Sequence, residues 1–140
     1  GSDWVQIKFR NVETNEDYPE TLRHSKFFRP CFTHDNKGVF YGRFMPSEGK
    51  ADGSETEANE NQKVYYHIIG QDQNSDVLIA EFPENKNWRF SAEVSDCGSF
   101  LIFYVMTGCS DQLLYFADLT KNRTIDEKLV FNKVKLFGQR

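Results

Sequence analysis

The sequence predicts an all-β protein. Short runs rich in Phe, Tyr, Val and Ile are bounded by Asp, Asn, Gly or Pro, which is the composition of antiparallel strands joined by hairpins. Aromatic residues make up 15% of the 140 residues, and 13 residues are Phe, which favours a β-rich chain with large buried faces. No stretch long enough for a helix carries apolar residues at helical spacing with a cap at each end. The sequence therefore argues against a helical fold.

A repeated pattern refines this prediction to a partial β-propeller. Residues 26–83 contain two β-rich runs, a long acidic loop and two more β-rich runs, which is the four-stranded meander of a propeller blade. The same order recurs further along the chain. The segment THDNKGVFY corresponds to SDCGSFLIFY, KVYYHIIG corresponds to LLYFADLT, and DVLIAEF corresponds to LVFNKVKLF. The repeat suits blades of about 40 to 50 residues plus an insertion.

The repeat predicts about two and a half blades of antiparallel strands. Residues 1–2 are typical of a tag remnant. Residues 3–25 match only the C-terminal half of a blade. The first complete blade is predicted at residues 26–83, with the acidic loop at 46–61, and the second at residues 89–140.

Each strand is predicted from a period-two pattern or from an apolar run. The first hairpin is predicted to have strands at residues 3–14 and 20–24 around a turn at 15–19. Pro30 lacks a ladder donor and weakens the strand that contains it. The remaining strands are predicted at residues 26–33, 39–45, 63–70, 76–83, 90–94, 99–106, 113–120 and 129–136.

Charge and cysteine usage exclude several classes of protein. The net charge of -4, with Lys and Arg scattered, gives no support to a nucleic-acid surface. The sequence contains no apolar run near the ~18 residues of a membrane span, and no signal peptide is recognised. The sequence has three cysteines, Cys31, Cys97 and Cys109. Because this number is odd and CxxC spacing is absent, the sequence predicts free thiols in a reducing, cytoplasmic compartment.

The residues themselves predict no catalytic, metal or cofactor site. The sequence lacks the G-x-S-x-G string of a nucleophile elbow. His34 and Asp35 are adjacent on a predicted turn and cannot form a serine-histidine-carboxylate triad without a partner serine. Asp35 is expected instead to accept hydrogen bonds from nearby backbone N–H groups. His24 and His67 are isolated, so neither is predicted to bind a metal.

One long string resembles a known family. The run GKADGSETEANENQKVYYHIIGQDQNSDVLIAEFP, with the flanking THDNKGVFY and the later AEVSDCGSF, closely resembles the propeller domain of the prolyl oligopeptidases, also called prolyl endopeptidases. The resemblance extends over residues 3–137. It implies a cytosolic serine peptidase that cleaves short peptides after proline and whose propeller caps an α/β-hydrolase domain and restricts substrate entry. The triad would lie in that domain, so this chain is expected to be inactive alone.

The resemblance also implies a set of substrate-facing residues. By motif, the propeller positions that line the pocket beyond the proline site are Phe27, Arg89 and Cys109, and Met106 lies nearby. Arg89 stands where the family usually has Met, and Met106 where an Arg usually precedes the Gly-Cys pair. The alternatives are a core aromatic for Phe27 and an inert buried thiol for Cys109.

Several alternatives and partners follow from these predictions. Loop 46–61 is either a solvated connection or a mobile flap that gates peptide entry. The implied partners are the hydrolase domain of the same parent chain and short proline-containing peptides. Self-association is also expected, because propeller blades bury their faces against neighbours. The other functions left open are a stand-alone propeller-like interaction module and a small enzyme with its own active site.

Overall fold

The structure, a computed structural model, describes residues 3–44, 60–108, 112–121 and 125–134. Residues 1–2, most of loop 46–61 and the predicted site residue Cys109 lie outside this part of the chain.

The described residues form ten strands, and the all-β prediction is confirmed. The strands are β1 (Val5–Asn11), β2 (Glu16–Ser25), β3 (Cys31–Phe32), β4 (Gly38–Arg43), β5 (Lys63–Ile68), β6 (Val77–Ala80), β7 (Arg89–Val94), β8 (Phe100–Met106), β9 (Gln112–Asp118) and β10 (Asn132–Lys133). Two 3-10 turns, Gln73–Ser75 and Pro83–Asn85, are the helical elements of this part.

The strands form three antiparallel sheets. β1 and β2 form a hairpin, and the two four-stranded sheets have the orders β3-β4-β5-β6 and β7-β8-β9-β10. In both four-stranded sheets each strand pairs with the next one along the chain. Both sheets are therefore meanders, as the repeat predicts.

The predicted strand at residues 20–24 lies within β2, but the predicted turn at 15–19 is wrong, because β2 begins at Glu16 and includes Pro19. The pairing of β1 with β2 shifts between Lys8 and Arg10, which places an irregularity opposite the proline. A bulged stretch has residues that make no ladder hydrogen bond, so it tolerates a residue without an N–H group. Pro19 thus interrupts the ladder without ending the strand.

Two predicted strands are observed only as strands of two residues. Of residues 26–33, only β3 is a strand, because Phe27 has a φ of 56°, which is incompatible with extended backbone, and Pro30 cannot donate to a ladder. Of residues 129–134, only Asn132 and Lys133 form a strand, β10, which pairs with β9, and the Val134 N–H also donates to the Leu114 carbonyl.

Two buried clusters hold the sheets together, and β4 belongs to both. The larger cluster spans the two four-stranded sheets and comprises Phe28, Phe40, Val64, Tyr66, Ile79, Ala80, Phe90, Leu101, Phe103, Val105 and Ala117. The smaller cluster joins the hairpin to β4 and comprises Phe9, Leu22, Val39 and Tyr41. Each fully buried large side chain contributes roughly 1.5–3 kcal/mol. The sheets are therefore layered, with β4 buried on both faces.

Candidate functional site

Three of the four sequence-predicted site residues lie together in the structure. Arg89 begins β7 and pairs directly with Met106, which ends β8. The guanidinium carbon of Arg89 lies 5.1 Å from the ring centroid of Phe27 and 5.3 Å from that of Phe44. Phe27 is 52% exposed and Met106 is 43% exposed. We call Phe27, Phe44, Arg89 and Met106 the aromatic–cation patch.

The backbone and a buried lysine support the exposed ring of Phe27. A left-handed φ of 56° costs roughly 1–2 kcal/mol for a residue with a Cβ. The ring packs edge-on against Phe44, with centroids 6.4 Å apart. Lys26 is only 5% exposed, and its ammonium group lies 3.8 Å from the centroid of the Trp4 ring and 5.7 Å from that of Phe27. Phe27 is not a core aromatic, so that alternative is wrong.

The two departures from the resembled family are cross-strand partners. Arg89 and Met106, the two positions expected to depart from the family pattern, face each other in the β7–β8 register. None of the ion pairs among the described residues includes Arg89. Its guanidinium group is held by aromatic faces instead.

The two cysteines in the described residues are free thiols with different chemistry. Burial raises the pKa of Cys31 to about 11. Cys97 is exposed, and its hydrogen bond with Ser95 is the main cause that lowers its pKa to about 7. Cys97 is therefore the more reactive thiol at neutral pH.

Sequence reasoning missed a buried cluster of charged residues. His67, predicted to be isolated, lies between two carboxylates: its Nδ1 is 2.6 Å from Asp76 Oδ1, and its Nε2 is 2.7 Å from Glu20 Oε2. Ionised carboxylates only accept hydrogen bonds, so both ring nitrogens must donate and His67 is an imidazolium. The ring is fully buried and stacks on Phe9 with centroids 5.4 Å apart. The prediction that His67 is isolated is wrong.

Further contacts complete this cluster. The Tyr41 hydroxyl donates to Asp76 Oδ2 at 2.5 Å, and Arg43 Nη2 lies 3.4 Å from the same oxygen. The backbone N–H of Gly70 donates to Glu20. We call Glu20, Tyr41, Arg43, His67 and Asp76 the buried ion network. Its two cations and two carboxylates balance, which is what burial of charge requires.

The pKa shifts follow from this geometry. Burial alone lowers the pKa of His67, but the hydrogen bonds with Asp76 and Glu20 outweigh it and leave that pKa above its ordinary value. For Glu20, burial raises the pKa, but the hydrogen bonds from His67 and Gly70 outweigh it and leave that pKa below its ordinary value. Burial, with the bond to Asp76, raises the pKa of Tyr41. The network is thus most stable when His67 is charged.

The remaining predicted polar residues have ordinary roles. Asp35 accepts hydrogen bonds from the Lys37 backbone N–H at 3.0 Å and from the Thr33 hydroxyl at 2.6 Å, which confirms the predicted turn role. Within the described ranges, no group of three His, Cys, Asp or Glu side chains is arranged to hold a metal ion. No helix in the same ranges is long and apolar enough to cross a membrane.

The fold defines a class of protein. Two successive four-stranded meanders that share one core, preceded by a hairpin, are part of a β-propeller. The family described as "Prolyl oligopeptidase, N-terminal beta-propeller domain" matches residues 1–137. This chain belongs to that family.

Individual relatives agree with this assignment. The chain is 36% identical over 134 residues to the prolyl oligopeptidase ophP of Omphalotus olearius. This alignment covers 87% of this chain and 18% of the relative. The chain is also 33% identical over 150 residues to prolyl oligopeptidase A of Amanita bisporigera. This second alignment covers 96% of this chain and 19% of the relative. The chain therefore spans about a fifth of the length of these relatives.

A solved structure shows the same fold. Prolyl oligopeptidase B from Galerina marginata, bound to a 35mer hydrolysis and macrocyclization substrate, superposes with a TM-score of 0.80 at 23% identity. The superposition covers 95% of this chain and 20% of that one.

Proposed function

We propose that this chain is the non-catalytic propeller part of a serine peptidase that resembles prolyl oligopeptidase and cleaves short peptides after proline. The match of the propeller family over residues 1–137 and the relatives named prolyl oligopeptidases support this proposal. By the family resemblance, the catalytic triad would lie in an α/β-hydrolase domain of the same parent chain, and this sequence itself lacks the G-x-S-x-G string of a nucleophile elbow. The free thiols Cys31 and Cys97 suit a cytoplasmic setting.

We assign the sheets to blades accordingly. Residues 3–25 would be the last half of one blade, and residues 26–83 and 89–140 the next two. Because blades bury their faces against neighbours, the isolated chain is expected to self-associate.

In the proposed enzyme, the propeller caps the active site and restricts substrate entry, and the aromatic–cation patch faces the peptide together with Cys109. The single observation that carries this role is the exposure of Phe27 on a left-handed backbone. Strain of this kind persists at functional sites, and an exposed aromatic beside an arginine is typical of a binding surface. The patch is thus the part of this chain best suited to contact a peptide.

The first test compares two phenylalanines of equal exposure in the full-length parent protein. Phe27 and Phe32 are both 52% exposed, but only Phe27 belongs to the patch. Phe27→Ala should raise KM for a chromogenic proline-containing peptide by about fivefold with little change in kcat, since an aromatic anchor is worth more than ~1 kcal/mol. Phe32→Ala should change neither constant. If both variants behave alike, the patch does not face the peptide.

The second test asks where the catalysis resides. This chain alone should not hydrolyse the chromogenic peptide, whereas the full-length protein should. Hydrolysis by this chain alone would instead support the alternative of a small enzyme with its own active site.

A further inference from the structure

We propose that Arg89 makes the aromatic–cation patch selective for peptides that carry an acidic side chain on the amino side of the cleaved proline. The proposal rests on the proposed function, because it requires that the patch face the peptide.

The geometry leaves the hydrogen-bonding edge of Arg89 available. Its guanidinium group lies over the rings of Phe27 and Phe44, whose planes are at 84° to each other. An arginine has five N–H donors in its plane. Two nearly perpendicular rings cannot both be parallel to that plane, so the donors available to a ligand are those that do not point at a ring. Among the described residues, no side-chain hydrogen bond or ion pair involves Arg89. A carboxylate could therefore accept two parallel N–H bonds while its side chain contacts the ring of Phe27.

The surroundings of Arg89 do not supply a neutralising carboxylate from its own strand. Glu93 lies on the same face of β7, but four residues along a strand amount to about 13 Å. That distance exceeds the ~8 Å over which exposed charges interact at physiological salt. Glu93 instead accepts a hydrogen bond from the Tyr104 hydroxyl at 2.9 Å.

The experiment uses the full-length parent protein and pairs of chromogenic peptides. Each pair places Glu or Gln at one position, moved stepwise along the amino side of the proline. At one position the Glu peptide should have a kcat/KM about five- to tenfold higher than its Gln partner, as expected for a charge-assisted contact that is partly exposed to solvent. The ratio should fall as salt is added.

Three variants identify the residue. Arg89→Met should bring the Glu-to-Gln ratio to about one, and Arg89→Lys should retain part of the preference, because the charge remains but the planar pair of donors is lost. Arg10→Met removes an exposed arginine of β1 that pairs with Asp17, and it should leave the ratio unchanged.

The outcomes separate this inference from the proposed function. If Arg89→Met changes KM for the Glu and Gln peptides equally, the patch contacts the peptide but the acidic preference is wrong. If Arg89→Met and Phe27→Ala leave every constant unchanged, the proposed role of the patch fails as well. A wild-type ratio of one at every position overturns the inference without any variant.

Discussion

The buried ion network and the aromatic–cation patch balance their cations in different ways. In the network, His67 contacts two carboxylates and Arg43 lies 3.4 Å from Asp76. In the patch, Arg89 contacts aromatic faces and takes part in no ion pair within the described residues. The charged side chains of the first cluster are at most 13% exposed, whereas Phe27 in the second is about half exposed.

This difference indicates what each cluster does. Buried charges lose their hydration and need partners inside the protein, so the donors of His67 are all used. A partly exposed arginine such as Arg89 keeps part of its hydration and can exchange water for a ligand. The network thus fixes the β1–β2 hairpin against β5, while the patch retains the capacity to bind. Variants should therefore damage stability in the first cluster and peptide recognition in the second.

The largest effect on stability is expected for Asp76→Ala. Removal of this carboxylate leaves His67 and Arg43 buried without their shared partner, and loss of one member of a buried ion pair costs about 3–5 kcal/mol. Asp96→Ala is the matched control, because Asp96 is an exposed turn residue outside the network. Denaturant unfolding followed by tryptophan fluorescence should show the loss for Asp76→Ala only. Equal, small changes in both variants would mean that the network does not secure the hairpin.

The sequence predicts the sheets better than it predicts the network. Alternation and repeats are local patterns, so they identify β4, β5 and β8 without knowledge of the fold. His67 and Asp76 come together across the connection between β5 and β6, but Glu20 is 47 residues from His67, and only sheet packing brings it to this pair. The available signal was the alternation of β2, which places Glu20 on the same face as the buried Leu22. A charged residue on a buried apolar face is stable only with an oppositely charged or hydrogen-bonding partner, so this pattern indicates that Glu20 has one.

The patch was predicted only through the resemblance. Composition and periodicity do not indicate that Phe27 is exposed, since a Phe in a β-rich run is more often buried. Its left-handed backbone and the direct pairing of Arg89 with Met106 are properties of the three-dimensional structure. The same left-handed backbone explains why the strand predicted at residues 26–33 is mostly absent.

A smaller effect is expected when pH is raised. The pKa of His67 is higher in the folded protein than in the unfolded chain, so the folded state binds the extra proton more tightly. Its contribution is fully present below the unfolded pKa of about 6.5 and is lost as pH rises through the folded pKa. The free energy of unfolding should therefore decline as pH rises above about 6.5. In His67→Gln, which is less stable overall, this decline should be reduced; an unchanged slope would show that another group causes it.

The smallest effect on stability is expected for a change at the centre of the patch. Phe27→Asn replaces a strained residue with one that adopts a left-handed φ more readily, which offsets the loss of ring contacts with Phe44 and Arg89. The free energy of unfolding should stay within about 1 kcal/mol of the wild type. In the full-length protein, the same variant should raise KM for the proline peptide as much as Phe27→Ala does. That result would show that Phe27 contributes to peptide recognition and not to stability. If Phe27→Asn lowered the free energy of unfolding as much as Asp76→Ala does, Phe27 would be a structural residue, and the two clusters would not differ in this way.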